Sequence, residues 1–384
     1  MSTWPMVALG DMAEFINGVA FKPDDWSATG RRIVRIQNLN DPAKSYNRTE
    51  REVAGKYHVG RGDLLVSWSA SLGVYEWREP DIAVVNQHIF RVVPFPEVVD
   101  KGYLRHGLVM ALGSMEGHLH GATMKHVNRG QFLATEILLP PLSEQRRIAA
   151  ILDHVDALRA KRREALRDLR LLPQDVYLER FGDPIANTRR LPVVPLGDLI
   201  DPERPLTYGI LMPGPDQGVS GVKYVRVVDM KDGEILVSGV RSTTSEIAAA
   251  YRRSRLRSGD LLMSIRGHVG RFATVPDVLD GANITQDTAR FALVGANGDY
   301  VRECLSTYGF QRWMDRHTKG VAVRGINLGD LRKMPIPVPS TAEQEEFSSQ
   351  VRQINILKRK QQSALGAFDD LFASLQSRAF RGEL

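Results

Sequence analysis

Apolar positions between Ser143 and Glu179 fall on two seven-residue rows. Ile148, Val155, Leu169 and Val176 form one row; Ile151, Leu158, Ala165 and Leu172 form a second, three residues further along. A repeat of this kind predicts the seam of a long helix packed on another helix. The pattern returns after Glu343-Gln344, which matches Glu144-Gln145 at an offset of 199 residues (343 − 144). There the rows are Phe347, Ile354, Phe368 and Leu375, then Leu357, Ala364 and Leu371 behind Gln350. Two matching helices in one chain are expected to pair antiparallel about a pseudo-twofold axis. Their midpoints are Arg162 and Gln361, polar positions on apolar rows, followed by the small residues Ala165 and Ala364. These four should fix the register at the crossing, although Arg162 could equally snorkel from the seam. Ser143 is the expected N-cap of the first helix, and Pro173 should kink or end it.

The segment before each helix reads as a β-rich globule. Arg32 to Ile36, Leu64 to Trp68, Ile82 to Val85 and Ile89 to Val93 have the β-branched content of strands, and Tyr103 to Leu112 has helical spacing. Ile137-Leu138-Leu139 is a last strand stopped by Pro140-Pro141. The same plan recurs in order: Lys223 to Val227 echoes the strand carrying Arg35, Gly259-Asp260-Leu261-Leu262 echoes Gly62-Asp63-Leu64-Leu65, and Gly320 to Asn327 echoes Gly121 to Asn128. The expected organisation is α+β: a globule over 1–141, a helix over 142–182, a second globule over 183–340 and a last helix over 341–384. The helices would form a coiled-coil spacer, each roughly 54 Å long at 1.5 Å per residue.

Composition narrows the function classes. With 384 residues and ordinary apolar and charged fractions, the chain reads as a soluble protein of two or three domains. No run is long enough to cross a bilayer, and the single cysteine, Cys304, excludes a disulfide framework and a cysteine zinc site. A reducing cytoplasm and no membrane association are expected. The net charge of +6 favours a polyanionic partner, or is simply a solvated basic surface.

Three signatures resemble the specificity subunits of Type I restriction–modification systems. They are the Pro-rich strand running into a Glu-Gln helix start (LPPLSEQRRI, then PIPVPSTAEQEEF), the Phe181-Gly182-Asp183-Pro184 exit, and the terminal Ala379-Phe380-Arg381-Gly382-Glu383-Leu384. The resemblance covers essentially the whole chain, and Pro173, opposite Phe372 in the repeat, departs from a straight helix. It implies that each globule is a target recognition domain reading half of a split, asymmetric site in double-stranded DNA. It also implies docking of two modification subunits on the helices, with restriction subunits added to that core. S-adenosylmethionine and ATP would then bind the partner subunits, with no cofactor or catalytic residue in this prokaryotic chain. The alternative is a scaffold whose two globules bind proteins.

The residues agree with a non-catalytic chain. There is no Asn/Asp-Pro-Pro-aromatic run to hold a flipped base and no phosphate-cradling Gly-x-x-x-x-Gly-Lys-Ser/Thr loop. Asp216 with Asp229 and Lys231 only loosely fits a nuclease pattern, and His118, His120 and His126 lack partners at metal-ligand spacing. DNA contact needs cations and amides for phosphates and forked donors for base edges. One candidate loop carries Ser67, Trp68, Ser69 and Ser71 in the first copy, and Ser264, Arg266 and His268 in the second. The other carries Thr123, Lys125, His126 and Asn128, matched by Arg324 and Asn327, with Lys125 and Arg324 expected on phosphates. Arg35-Ile36-Gln37-Asn38 and Arg226-Val227-Val228-Asp229 could point into a groove, Gln37 and Asn38 towards adenine and Asp229 towards cytosine. The plainer reading of that pair is turn chemistry at a strand exit. Lys223 is a further surface cation.

Overall fold

The computed structural model describes residues 4–41, 43–116, 128–320 and 324–384. The chain divides into two compact units, residues 1–162 with 364–384, and residues 163–363. The division passes through both long helices, beside the midpoints placed at Arg162 and Gln361.

In the first unit an antiparallel sheet has the order Ala13–Asn17, Ile89–Pro94, Leu64–Ser67, Gly73–Glu76. A second sheet has the order Arg48–Thr49, Arg31–Val34, Ala83–Val85, His58–Val59, with a parallel pair at Ile33 and Val84. The unbroken apolar run Leu64-Leu65-Val66 has a physical cause. Leu64 and Val66 face one core with the helix Lys101–Glu116, while Leu65 faces another with Val34 and Trp77. A strand buried on both faces does not alternate. The second unit repeats this, with the order Thr207–Tyr208, Thr288–Phe291, Leu261–Ser264, Phe272–Thr274. Leu261 and Met263 enter one core and Leu262 another.

One difference from the sequence expectation matters for the site. The strand around Arg35 ends at Val34, and Ile36–Asn40 is a short helix. Its second-copy counterpart, Val227–Asp229, is a single 3-10 turn.

The helix starts and ends are fastened by paired devices. Gln145 is buried; its Oε1 accepts from the Asp100 N–H at 2.7 Å, and its Nε2 donates to the Val98 and Pro140 carbonyls. Gln344 does the same for the Asn297 N–H, at 2.8 Å, and the Pro339 carbonyl. The Tyr103 hydroxyl donates to the Leu138 carbonyl, as that of Tyr300 does to Pro337. Each tyrosine also takes a helix-ending phenylalanine. Phe380 lies 5.1 Å from Tyr103 in the first unit, and Phe181 lies 5.1 Å from Tyr300 in the second. Gly182 and Gly382 both have φ of 73°, where a side chain would be strained, and so end the helices.

The long helices are Leu142–Phe181 and Thr341–Ala379, of 40 and 39 residues. Within each unit they run antiparallel. Arg159 pairs with Asp369 at 2.7 Å and lies over the Phe372 ring, and Arg162 lies over Phe368. In the other unit Tyr177 packs on Phe347, and Arg180 pairs with Glu346. The helix continues through Pro173 and does not stop there. Proline removes one helical hydrogen bond, but Pro173 is buried between buried Leu166 and Tyr177, and Gln174 Nε2 donates to the Ser306 carbonyl at 2.7 Å.

The seam also differs in one row. Ile148, Val155, Phe347 and Ile354 are buried, and Leu169 and Phe368 half-buried, as the first row requires. The second row lies four residues along, not three: Leu152, Arg159, Leu166, Pro173 and Arg180, matched by Val351, Lys358, Leu365, Phe372 and Ala379. Leu172, Leu357 and Leu371, assigned to the seam, are instead 38%, 48% and 44% exposed. Ile151, Leu158, Ala165 and Ala364 are half-buried on its flank, as is Gln361 on the first row. The cations at the true positions disguised it. Arg159 has a charge partner and an aromatic ring, and Lys358, 5% exposed, donates to the Asp232 carbonyl at 3.1 Å.

Candidate nucleic-acid interface

In the second unit the strand Leu261–Ser264 delivers a tight loop. Ser264 is fully buried, and its hydroxyl donates to the His268 carbonyl and accepts from the Arg271 N–H, so it closes the loop from inside. Gly267, at φ 68°, supplies a turn that disfavours any side chain, and its N–H donates to the Arg324 carbonyl at 2.9 Å. Lys319 and Gly325 exchange two backbone hydrogen bonds, and Gly325 also bridges to Arg266. Loops distant in sequence are therefore tied into one ledge. It bears Arg266, His268, Lys319 and Arg324, all exposed. Arg266 is steadied by Gln286 Oε1 at 2.8 Å, and Lys319 lies 4.0 Å from Asp330. Three of the four cationic or imidazole groups were named from sequence. Lys319 was missed, though it directly precedes the glycine-led loop. Asn327 is exposed at the start of the helix Leu328–Arg332.

The matching loop of the first unit is built alike but carries different groups. Ser67 is buried and donates to the Ser71 carbonyl; Ser69 is 5% exposed. Trp68 stacks on Phe90 at 5.6 Å and donates from Nε1 to Asn17 Oδ1 at 3.3 Å, leaving part of its ring at the surface. Asn128 is exposed and caps Arg129–Leu133 through the Gln131 N–H. Thr123, Lys125 and His126 lie outside the described residues, as do His118 and His120.

The strand-exit candidates resolve into turn chemistry. Asn38 is 2% exposed; its amide donates to the Lys44 and Ser45 carbonyls and its Oδ1 accepts from the Arg35 N–H, so it cannot offer a fork to adenine. Asp229, 3% exposed, holds Arg226 in a bidentate pair at 2.7 and 3.0 Å, and so is not available to cytosine. That carboxylate, first, holds the Arg226 guanidinium above its usual pKa, and Arg226 also donates to the Gly239 carbonyl. The exposed groups there are Gln37 and Lys223, while Arg35 is half-buried over Trp26 beside Asn47.

Among the described residues the catalytic candidates form no constellation. Asp216 accepts from Ser242 and the Gly218 N–H. Among the described residues no group of three or more His, Cys, Asp or Glu could hold a metal. Burial pushes the Cys304 thiol up to about 12, which leaves it un-ionised and a poor nucleophile at neutral pH. No helix among the described residues is long and apolar enough to cross a membrane.

Comparison with known proteins accounts for this architecture. Residues 1–167 match the family described as Type I restriction modification DNA specificity domain. The Type I restriction enzyme EcoBI specificity subunit of Escherichia coli is 28% identical over all of this chain and 86% of its own length. The chain is thus similar along its whole length to Type I specificity subunits. The MjaVIII specificity subunit of Methanocaldococcus jannaschii is 21% identical, over 94% of this chain and 89% of its own. Among solved structures, a chain from a study of complex assembly and conformational transition of the type I R-M system has a TM-score of 0.57. It is 20% identical, covering 99% of this chain and 98% of the other. The S subunit from M. genitalium has a TM-score of 0.55 at 14% identity, covering 98% and 96%. These structures share the fold.

Proposed function

We propose that this chain is the DNA-reading, non-catalytic specificity subunit of a Type I restriction–modification enzyme. Each globule acts as a target recognition domain for one half of a split site, and the paired helices set the gap between halves. Two modification subunits, carrying S-adenosylmethionine and methylating adenine, dock on the helices. Restriction subunits that use ATP join that core in the prokaryotic cytoplasm.

The observation that carries this reading is one frame presenting two different surfaces. The loop after Gly-Asp-Leu-Leu closes through a buried serine in both units, yet carries the half-buried Trp68 in one and the exposed Arg266 and His268 in the other. Side chains that differ on an identical support are what reading two unlike half-sites requires. Arg266, Lys319 and Arg324 supply the phosphate contacts of the second half. The test is DNA binding across a salt series by the chain assembled with its modification subunits. Arg266→Ala and Arg324→Ala should each weaken binding to every sequence alike and reduce the salt slope by about 1. An assembled parent complex with no salt-dependent DNA binding would instead support a protein scaffold.

A further inference from the structure

The second unit holds a buried cation whose hydrogen-bond partners are all backbone carbonyls. Arg290 lies on Thr288–Phe291, opposite Leu262 and Thr207, and is 2% exposed. Its Nη atoms donate to the carbonyls of Arg255, Arg204 and Pro205, at 2.9 to 3.3 Å. Its Nε is buried with no hydrogen-bond partner. Carbonyl dipoles solvate a guanidinium in part, but burying one without an anion is costly.

The first copy shows how the same position is balanced. Arg91 faces Leu65 as Arg290 faces Leu262, and its Nε donates to Asp63 Oδ2 at 3.0 Å. Asp63 and Asp260 hold the same place, each before Leu-Leu. In the second copy, however, Asp260 is occupied by Arg204, at 2.6 and 2.9 Å, and by the Arg257 N–H at 2.8 Å. The extra arginine has taken the carboxylate and left Arg290 without one.

Arg290 lines a cavity of about 370 Å³, at the small end of the range for ligand pockets. Its other cations are Arg204, Arg252, Arg253, Arg255 and Arg257, against the carboxylates of Glu203 and Asp280. Asp280 also accepts from the Ser258 N–H. Desolvation first, and then the positive charge of Arg204, push the Arg290 guanidinium below its usual value, against the opposing pull of Asp260 and Asp201.

We propose that this cavity is an oxyanion site that takes a phosphate group, with the exposed arginines of 252–257 as its donors and the buried charge of Arg290 behind them. Guanidinium forks match phosphate oxygens in geometry and charge. The phosphate can be a DNA phosphodiester or a free phosphate. The site stands at the entry of strand Leu261–Ser264, whereas the Arg266–Arg324 ledge stands at its exit. It is therefore a second anchor, and only its DNA arm rests on the DNA-reading proposal.

The test uses the full chain and the double variant Arg252→Ala/Arg257→Ala, both exposed residues whose loss leaves the core intact. Titration of the parent with inorganic phosphate at constant ionic strength should show one saturable site, weakened about tenfold or more in the variant. DNA binding of the assembled complex is then followed across salt. A variant slope lower by about 1 to 2 identifies a DNA phosphodiester as the natural occupant. An unchanged slope with phosphate binding lost identifies a free phosphate. No saturable phosphate binding together with an unchanged slope overturns the site. That result leaves DNA reading standing, because it is obtained on a parent complex that still binds DNA.

Discussion

Gln145 and Gln344 show at the scale of one side chain why the Glu-Gln signature sits where it does. Each amide accepts a backbone N–H from the turn before a globule helix and donates to the proline-rich strand that leads into the long helix. An aliphatic residue of the same size would leave those backbone groups buried and unsatisfied. Gln344→Ala should therefore cost about 1–3 kcal/mol in urea unfolding. His106 is a second such position. Its Nε2 lies 2.7 Å from Asp153, which alone would favour the imidazolium, but burial and the adjacent Arg105 outweigh this and lower its pKa. The Asp153 carboxyl is partly desolvated, yet hydrogen bonds from His106 and Arg105 hold it below its usual range. The unfolded histidine thus binds a proton that the folded one resists. Stability of the first unit should fall as pH drops below about 6.5 towards the lowered folded value, and be fully restored above it. Asp153 contributes only at lower pH, where its stabilisation is lost as the pH falls through its depressed value. Denaturation of wild type and His106→Gln between pH 5 and 8 checks this; equal pH slopes would contradict it. Individual site residues were the least legible feature of the sequence. Asn38 and Asp229 have the right donors and acceptors for base edges, but a residue type does not reveal whether its lone pairs are already used. Burial decided both.

At the scale of elements, periodicity foretold the long helices and their antiparallel pairing, but misplaced one row of the seam. Rows at three and four residues flank the first row equally, and only the partner helix chooses between them. Leucines at 158, 172, 357 and 371 argued for one, and Arg159 and Lys358 against the other. The structure inverts this because arginine and lysine bury their stems and keep their heads paired. The displaced leucines Leu172, Leu357 and Leu371 are instead open to solvent. Leu357 and Leu371 are exposed apolar side chains on helices that the family reading assigns to modification subunits. Leu357→Asp should leave the melting temperature of the isolated chain unchanged while reducing recovery of the modification subunit in co-purification. Full recovery would remove this stretch from the docking surface. That the helix would run on through Pro173 was hidden for a related reason: the loss of one backbone bond is visible in sequence, and the packing that offsets it is not.

At the scale of the whole molecule, the duplication was legible because its markers keep their order: Gly-Asp-Leu-Leu, the proline-stopped strand, and the Glu-Gln start. The structure adds the reason for that order. Every marker is a fastening point, from the buried strand between two cores to the glutamine and tyrosine that tie each helix to its globule. The loops between markers carry no such constraint, which leaves them to differ in sequence and in the groups they expose. Two like frames with unlike loops should read two unlike half-sites. The most direct measurement expresses this chain with its modification subunit in a methylation-free host and maps methyladenine across the DNA. The account requires one split, asymmetric motif with a methylated adenine in each half. A single undivided motif, or no new methylation by a stable, assembled complex, would contradict it.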